Sequence, residues 1–285
     1  MVLSIVSYGL ALGAVYALIG ITYNVMFTAS RVFSFTAGTV GMLGGVFGAL
    51  CIDRLGMPVP VGLLITLAAG AGLGIITEVL TVRPVLKSLD QHLYVLSTLA
   101  FALMLQQLTA IEWSTEPQPF PRLLPFGPGL FDQQFWLPML ACALTILGLE
   151  WLYRRTLVGR AFLAISEDNY AARALGLPEQ SLRLASYALA GVIGTLAGFT
   201  GGEMMLAYFG NGPLLNFYGF VPVALGGMGS NRGAVAGGLA LGLFQQAANF
   251  LVGGIFASVA IFVVFIIVLL VRPEGFAGAA PARRV

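Results

Sequence analysis

Residues whose side chains usually carry chemistry are few in this sequence, and they do not cluster. The one histidine, His92, lies at the predicted start of a helix, and a single imidazole does not make the usual kind of metal site. Glu78, Glu150 and Glu203 fall near the ends of apolar stretches, whereas a proton relay needs an acid at mid-membrane. The sequence has neither G-x-x-x-x-G-K-[ST], which cradles a nucleotide phosphate, nor G-x-S-x-G, which presents a nucleophilic serine. We therefore expect no catalytic residue, no metal and no cofactor.

Polar groups occur instead in two glycine-rich stretches, about Ser34–Gly45 and Gly210–Gly229, one in each half of the chain, as paired repeats would be. Within a membrane, the backbone of a broken helix is tolerated only where it lines a cavity or packs on protein. We take as candidates for a solute pathway Ser34, Phe35, Thr36, Gly38, Asn211, Gly212, Asn216 and Tyr218. Tight helix packing without solute contact is the alternative interpretation of the same residues.

The composition indicates that these stretches belong to a membrane protein. Of 285 residues, 58% are hydrophobic and 9% are charged, and the mean hydropathy is +0.92. Soluble domains have about 45–50% apolar and about 25% charged residues, so a soluble enzyme is excluded. The net charge of +2 gives no basis for binding nucleic acid. We predict an all-α polytopic transmembrane bundle, a single domain over residues 1–285, because a spanning helix needs about 20 apolar residues.

The predicted bundle has about eight to nine spans, some of them glycine-rich and discontinuous. Eight apolar runs are Val2–Phe27, Phe33–Cys51, Val59–Leu80, Leu93–Ile111, Phe135–Tyr153, Leu184–Ala207, Ala234–Val252 and Phe256–Val271. A ninth, about Asn211–Met228, is interrupted too often by glycine and proline for a plain helix. Glycine pairs four residues apart, such as Gly9 and Gly13, predict close packing between helices.

The distribution of basic residues predicts an external N-terminus and a cytoplasmic C-terminus. With nine crossings and the C-terminus inside, all of the 14 lysines and arginines except Arg54 and Arg122 fall on the cytoplasmic side. If the ninth stretch were re-entrant, the two halves of the chain could not both obey this rule. We therefore prefer nine crossings.

The longest predicted cytoplasmic segment, about residues 154–183, contains signals for a short helix on the membrane surface. Ser166 is a suitable N-cap and Gly176 a suitable stop, which predicts a helix over about Glu167–Leu175. This helix is either a simple connection or a coupling helix that docks on a separate ATPase and follows its motion. The candidate coupling residues are Arg160, Glu167, Asp168, Ala171, Ala172, Arg173 and Gly176.

Four stretches resemble the LivH/LivM family, the permease subunits of branched-chain amino acid ABC importers. GLALGAVYALIGITYNVMF (9–27) resembles the first span of that family, and GRAFLAISEDNYAARALGLP (159–178) resembles its cytoplasmic loop. GGMGSNRGAVAGGLALG (226–242) resembles a glycine-rich turn, and VRPEGFAG (271–278) resembles the terminal motif. The likeness covers nearly the whole chain, and its short N-terminus is similar to the H-type subunit.

The sequence departs from the family pattern just after the first span. H-type subunits usually read close to N-F-A-H-G-E there, whereas this chain reads SFTAGT from Ser34 to Thr39. Phe35 and Gly38 are kept, but the imidazole and the carboxylate are replaced by Ala37 and Thr39. The loss of two ionisable groups leaves open a different solute, such as an amide, an aromatic carboxylate or a less polar acid.

The resemblance implies a permease subunit that moves a branched-chain amino acid or a related small organic solute across the bacterial inner membrane. The implied partners are a second permease subunit (LivM-like or a second copy), two cytoplasmic ATPase subunits, an extracytoplasmic solute-binding protein and the lipid bilayer. ATP hydrolysis then belongs to the ATPase subunits, and the permease is not an enzyme. The alternatives are a stand-alone channel or secondary carrier and, third, a membrane-embedded enzyme, which would need a polar catalytic cluster at one depth.

Overall fold

The computed structural model describes residues 2–86, 93–123 and 133–271, and helices account for all of the regular elements within those ranges. They are α1 (Val2–Ser30), α2 (Ala37–Ala49), α3 (Val59–Thr77), α4 (Arg83–Val85), α5 (Leu93–Glu112), α6 (Gln133–Arg155), α7 (Leu157–Glu167), α8 (Asn169–Ala174), α9 (Glu179–Met205), α10 (Asn211–Gly226), α11 (Asn231–Val252) and α12 (Gly254–Val271). The π-helical turns Leu50–Arg54 and Glu78–Val82 extend α2 and α3. The predicted all-α fold is confirmed, while His92 and residues 272–278 of the terminal motif lie outside the described residues.

Six of the described helices are long and apolar enough to cross a bilayer, fewer than the eight to nine that the sequence predicted. They are α1, α3 with its π-helical extension, α5, α6, α9 and α11. The other predicted crossings correspond to α2, α10 and α12. Helix α2 has 13 residues and α10 has 16, because the chain just before each of them is not helical.

The helical breaks lie before α2 and before α10. Helix α1 ends at Ser30, the next residue Arg31 has a φ of 54°, and the chain stays irregular until Thr36. Helix α9 ends at Met205, the next residue Leu206 has a φ of 61°, and α10 begins at Asn211. A left-handed backbone at a residue other than glycine is uncommon and is incompatible with continuing the helix.

The prediction that Asn211–Met228 is too interrupted for a plain helix is wrong, since α10 runs unbroken to Gly226. Pro213 lies in the first turn of α10, where a backbone N–H would have no partner within the helix. Pro222 lies in the interior and removes one hydrogen bond without ending the helix. In the same way, the predicted break over Ser34–Gly45 is confined to its first residues, since Ala37–Ala49 is helical.

Glycines bring pairs of helices together backbone to backbone, as the glycine spacing predicts. In the contact between α1 and α11, a Cβ on Gly13 would lie 2.7 Å from the carbonyl oxygen of Gly238. In the contact between α3 and α9, a Cβ on Gly70 would lie 2.6 Å from the carbonyl oxygen of Gly191. Such approach is possible only without a side chain, and it buries α1 and α9 at the centre of the bundle.

The structure gathers most of the described arginines at one end of the bundle, which we call the arginine-rich end. It is formed where α1, α3 and α6 end and where α9 and α11 begin. Its arginines are Arg31, Arg83, Arg154, Arg155, Arg160, Arg173, Arg183 and Arg232. The other two, Arg54 and Arg122, lie at the opposite end, where Arg54 stacks 4.2 Å from the ring of Trp113. This grouping agrees with the division of basic residues inferred from the sequence.

Candidate functional site

The two short helices that follow the breaks cross at Gly38 and Asn216. Gly38 lies in the first turn of α2, and its backbone N–H donates to Asn216 Oδ1 on α10 at 2.7 Å. A Cβ on Gly38 would overlap the backbone nitrogen of Asn216, so the crossing requires glycine at this position. The structure therefore brings together one predicted pathway residue from each half of the chain.

The side chain of Asn216 joins α1 to the same crossing. The hydroxyl group of Tyr23, which is almost fully buried on α1, donates to Asn216 Oδ1 at 3.0 Å. Asn216 Nδ2 donates to Thr39 Oγ1 at 3.4 Å. Asn216 thus accepts two hydrogen bonds and donates a third, which fixes its amide orientation relative to α1 and α2.

A cavity of about 260 Å³ lies beside the crossing, between α2, α5 and α10. Its described lining residues are Phe35, Thr39, Leu99, Ala102, Leu103, Gln106, Pro213, Asn216, Phe217 and Phe220. None of these is charged, and the polar side chains among them are two amides and one hydroxyl. A small concave site of this kind accommodates a solute with an apolar body and a few polar groups.

Aromatic rings connect the break after α1 to the wall of this cavity. Phe33 stacks on Tyr23 at a centroid distance of 5.1 Å and meets Phe220 edge to face, also at 5.1 Å. Phe35 lies 5.9 Å from Phe33. The predicted pathway residues included Phe35 and Asn216 of this wall, and Thr39 was noted only as a departure from the family pattern. The prediction missed Tyr23, Phe33, Phe217 and Phe220. The F-S-F triplet at residues 33–35 was the available signal, since its aromatic rings flank the break.

Three predicted pathway residues pack in the interior away from the lining of this cavity. The hydroxyl groups of Ser34 and Thr36 lie 2.9 Å apart, and both residues are buried. Tyr218 is stacked on Tyr16 at a centroid distance of 5.0 Å. The side chains of Ser34 and Thr36 pair with each other where regular backbone hydrogen bonding is interrupted, which stabilises the break.

The other two predicted pathway residues lie where α10 begins. Asn211 Nδ2 donates to the carbonyl oxygens of Met205 at 2.9 Å and Leu206 at 3.0 Å. Asn211 thereby satisfies carbonyl groups that the end of α9 leaves without helical partners. Gly212 is buried, and a Cβ there would lie 3.3 Å from Met42 Sδ on α2. Both residues shape the second break, and a contact with solute stays a prediction for them.

The 154–183 segment forms two short helices. The helix predicted over about Glu167–Leu175 corresponds to α8, Asn169–Ala174, whereas the prediction of Ser166 as its N-cap is wrong. The amphipathic helix α7 continues through Ser166, whose hydroxyl donates to the carbonyl oxygen of Leu163 at 2.8 Å. Asp168 is instead the N-cap between α7 and α8. Serine and aspartate both cap helices well. Because the apolar face of α7 packs on α6, α7 continues through Ser166 and Asp168 becomes the cap of α8.

The cap and the stop of α8 are both well formed. Asp168 Oδ1 accepts the backbone N–H groups of Tyr170 at 2.9 Å and Ala171 at 3.0 Å. Gly176 has a φ of 80°, which confirms it as the residue that ends this helical segment. The chain then turns into α9 at Glu179.

The adjacent alanines of α8, Ala171 and Ala172, face opposite surroundings. Ala172 is 2% exposed and packs with Phe162, Ile165 and Leu182 of the same chain. Ala171 is exposed, and its neighbours Tyr170 and Leu175 are 85% and 83% exposed. Other exposed candidate coupling residues are Arg160, Glu167 and Asp168. Tyr170, Ala171 and Leu175 together form an exposed apolar surface at α8, which we call the α8 face.

Arg173 connects α8 to the start of α9. Its guanidinium Nε donates to Glu179 Oε2, and this hydrogen bond raises the pKa of Arg173 above its ordinary value. Arg173 is thus held against its own chain, and its side chain is still 63% exposed.

A family model and individual known proteins indicate the same family for this chain. Residues 5–271 match the family described as "Branched-chain amino acid transport system / permease component". The chain is 28% identical over 298 residues to BraD of Pseudomonas aeruginosa, a high-affinity branched-chain amino acid transport system permease protein, covering 97% of this chain and 96% of that one. It is 27% identical over 302 residues to the corresponding LivH of Escherichia coli, with coverages of 97% and 96%.

A solved structure has a similar fold. PsaBC from Streptococcus pneumoniae in complex with Fab aligns with a TM-score of 0.53 and 15% identity, covering 94% of this chain and 91% of that chain. At this identity the likeness concerns the fold alone. Because the family match and the two permease relatives extend over nearly the whole sequence, this multi-pass inner-membrane protein belongs to the family of permease components of branched-chain amino acid transport systems.

Proposed function

We propose that this chain is a translocation subunit of an ABC importer for a branched-chain amino acid or a related small organic solute. The observation that carries the proposal is the crossing of Gly38 and Asn216 beside an uncharged cavity. At that place irregular backbone, a fixed amide and a solute-sized space coincide, which is the arrangement expected of a pathway through a membrane protein. The relatives BraD and LivH are named as permeases for solutes of this class.

The cavity favours solutes with an apolar side chain. Phenylalanine and leucine side chains form half of its wall, and Asn216, Gln106 and Thr39 supply its polar groups. A solute with a charged side chain would lose hydration there without gaining a counter-charge, which opposes its passage. Ordinary aliphatic amino acids meet this requirement better than basic or acidic ones.

ATP hydrolysis belongs, in this proposal, to two separate ATPase subunits, one of which docks on the α8 face from the cytoplasm. Tyr170 and Leu175 expose large apolar surfaces on a segment outside the long apolar helices, and such surfaces commonly mark interaction sites. A second permease subunit (LivM-like or a second copy) and an extracytoplasmic binding protein complete the importer. The whole chain then acts as a single permease domain whose cytoplasmic coupling segment is 154–183.

The test is ATP-dependent leucine uptake into vesicles that contain the complex purified through this chain. Leu175→Cys should cross-link to a co-purified ATPase, whereas Leu3→Cys, exposed at the opposite end of α1, should not. Uptake that follows an ion gradient and needs no ATP would instead support a stand-alone carrier. Cross-linking from Leu3→Cys alone would contradict the proposed docking face.

A further inference from the structure

A carboxylate is buried near the arginine-rich end, in the π-helical turn that follows α3. Glu78 is 0% exposed, and its Oε1 accepts a hydrogen bond from Arg183 Nε on α9 at 2.7 Å. The side chain of Arg183 is itself only 6% exposed. Separating two oppositely charged groups that are this deeply buried is costly, because it leaves an unpaired charge in a medium of low dielectric constant.

Further ion pairs extend this contact to the surface. Arg183 Nη1 donates to Glu179 Oε1 at 3.2 Å, and the other oxygen of Glu179 accepts from Arg173 on α8. We call Arg173, Glu179, Arg183 and Glu78 the ion-pair chain. It runs from an exposed side chain on α8 to a fully buried one beside α3. Arg83 Nη2, 3.1 Å from Glu78 Oε2, adds a second cation at the buried end.

The buried end of the ion-pair chain adjoins contacts that lead to the pathway. One turn beyond Arg183, the hydroxyl groups of Tyr187 and Ser30 lie 3.2 Å apart. The neighbouring Ser186 donates to the carbonyl oxygen of Val25 on α1 at 2.6 Å. Ser30 ends α1 and immediately precedes the irregular segment that carries Phe35 to the cavity wall. These contacts hold α9 directly against the end of α1 that precedes the break.

We propose that the ion-pair chain transmits movement of α8 to α3 and α9, with Glu78 as a positioning residue for transport. This inference rests on the proposed docking of an ATPase on the α8 face. Apolar contacts between helices can slide, whereas the Glu78–Arg183 pair has a fixed donor, a fixed acceptor and a large cost of separation. Helices α3 and α9 consequently move together when Glu179 and Arg173 are displaced.

The experiment replaces the buried pair by apolar residues of similar size, Glu78→Leu with Arg183→Met. Replacing both partners of a buried ion pair is often neutral for stability, whereas removing one partner is strongly destabilising. Leucine uptake and ATP hydrolysis are then measured on the same vesicles. The matched control is Glu150→Gln with Arg232→Gln, a more exposed ion pair between α6 and α11 with an Nε–Oε1 distance of 2.6 Å.

We expect the double variant to assemble with its ATPase and to hydrolyse ATP, while leucine uptake per ATP falls about tenfold, a typical size for coupling between two sites. The control variant should take up as much leucine per ATP hydrolysed as the unaltered chain. A double variant with an unchanged ratio would show that the ion pairs only hold the fold, and would overturn the inference. If the double variant does not assemble, the test is repeated with Glu179→Gln, which weakens the partly exposed middle of the ion-pair chain. An unchanged leucine uptake per ATP in Glu179→Gln would likewise overturn the inference. If Leu175→Cys in the otherwise unaltered chain forms no cross-link to an ATPase, the proposed docking is refuted, whatever the ion-pair variants show.

Discussion

Asn216 Oδ1 on α10 accepts the backbone N–H of Gly38 on α2 at 2.7 Å, across 178 positions of sequence. The same side chain lines the cavity beside the crossing. Movement of either short helix must therefore change the hydrogen bond and the shape of the cavity together. The contact between these two residues is the structural basis of the first prediction.

Gly38→Ala is expected to reduce leucine uptake strongly while the complex still reaches the membrane. The new methyl group would overlap backbone atoms of Asn216, which no rotamer change relieves. Overpacking of a tight site costs about 1–3 kcal/mol, and about 1.4 kcal/mol corresponds to a tenfold change. Uptake of radiolabelled leucine per amount of assembled complex is the measurement.

The control for this prediction is Gly72→Ala in α3. No atom lies within 4 Å of the position that its Cβ would take, so uptake should equal that of the unaltered chain. Normal transport by Gly38→Ala would show that α2 and α10 can move apart at the crossing at little cost and that the solute passes elsewhere.

The positions of the long helices could be predicted from the sequence because continuous apolar runs admit one structure in a membrane. The predicted runs Val59–Leu80 and Leu93–Ile111, for example, correspond to α3 and α5. The exact breaks could not be predicted. Arg31 and Leu206 carry no sequence signal for a left-handed backbone, whereas the glycines and prolines of 211–228 suggested interruptions that helix packing removes.

The candidate site was predictable in part. Gly38 and Asn216 could be predicted because they lie in the two stretches where glycines and polar residues interrupt apolar sequence. Phe217 and Phe220 do not, because an aromatic residue in a membrane helix faces either lipid or cavity, and the choice depends on distant helices. The same holds for Ala172, which the sequence suggested as a docking contact and which contacts its own chain instead.

Phe35→Ala is expected to change which solutes are taken up. Phe35 forms part of the cavity wall and is partly exposed, so its removal enlarges the cavity with limited loss of packing. Competition by phenylalanine against leucine should increase about tenfold, since pocket size alone typically discriminates by 10–200-fold. Phe250→Ala, which removes an exposed ring on α11, should leave the preference unchanged. An unaltered preference in Phe35→Ala would place the selective step outside this cavity.

The orientation of the chain predicts which engineered cysteines react from outside the cell. Leu3→Cys should react with a membrane-impermeant maleimide in intact cells, and Leu175→Cys should react only after permeabilisation. This follows from the arginine-rich end facing the cytoplasm. The native Cys51 and Cys142 are buried, so they give little background. Labelling of Leu175→Cys in intact cells would reverse the assignment.

Tryptophan at Ala171 and at Ala172 should have different effects because these two alanines of α8 face different surroundings. Ala172 is enclosed by Phe162, Ile165 and Leu182, so Ala172→Trp should overpack the chain itself and lower the yield of folded permease. Ala171 is exposed on the α8 face, so Ala171→Trp should fold normally and obstruct a docked ATPase. A docking penalty of about 1–3 kcal/mol corresponds to roughly one to two decades in affinity. Co-purification of the ATPase, followed by leucine-stimulated ATP turnover in liposomes, separates the two outcomes. Association and turnover of Ala171→Trp at the level of the unaltered chain would mean that the ATPase docks elsewhere.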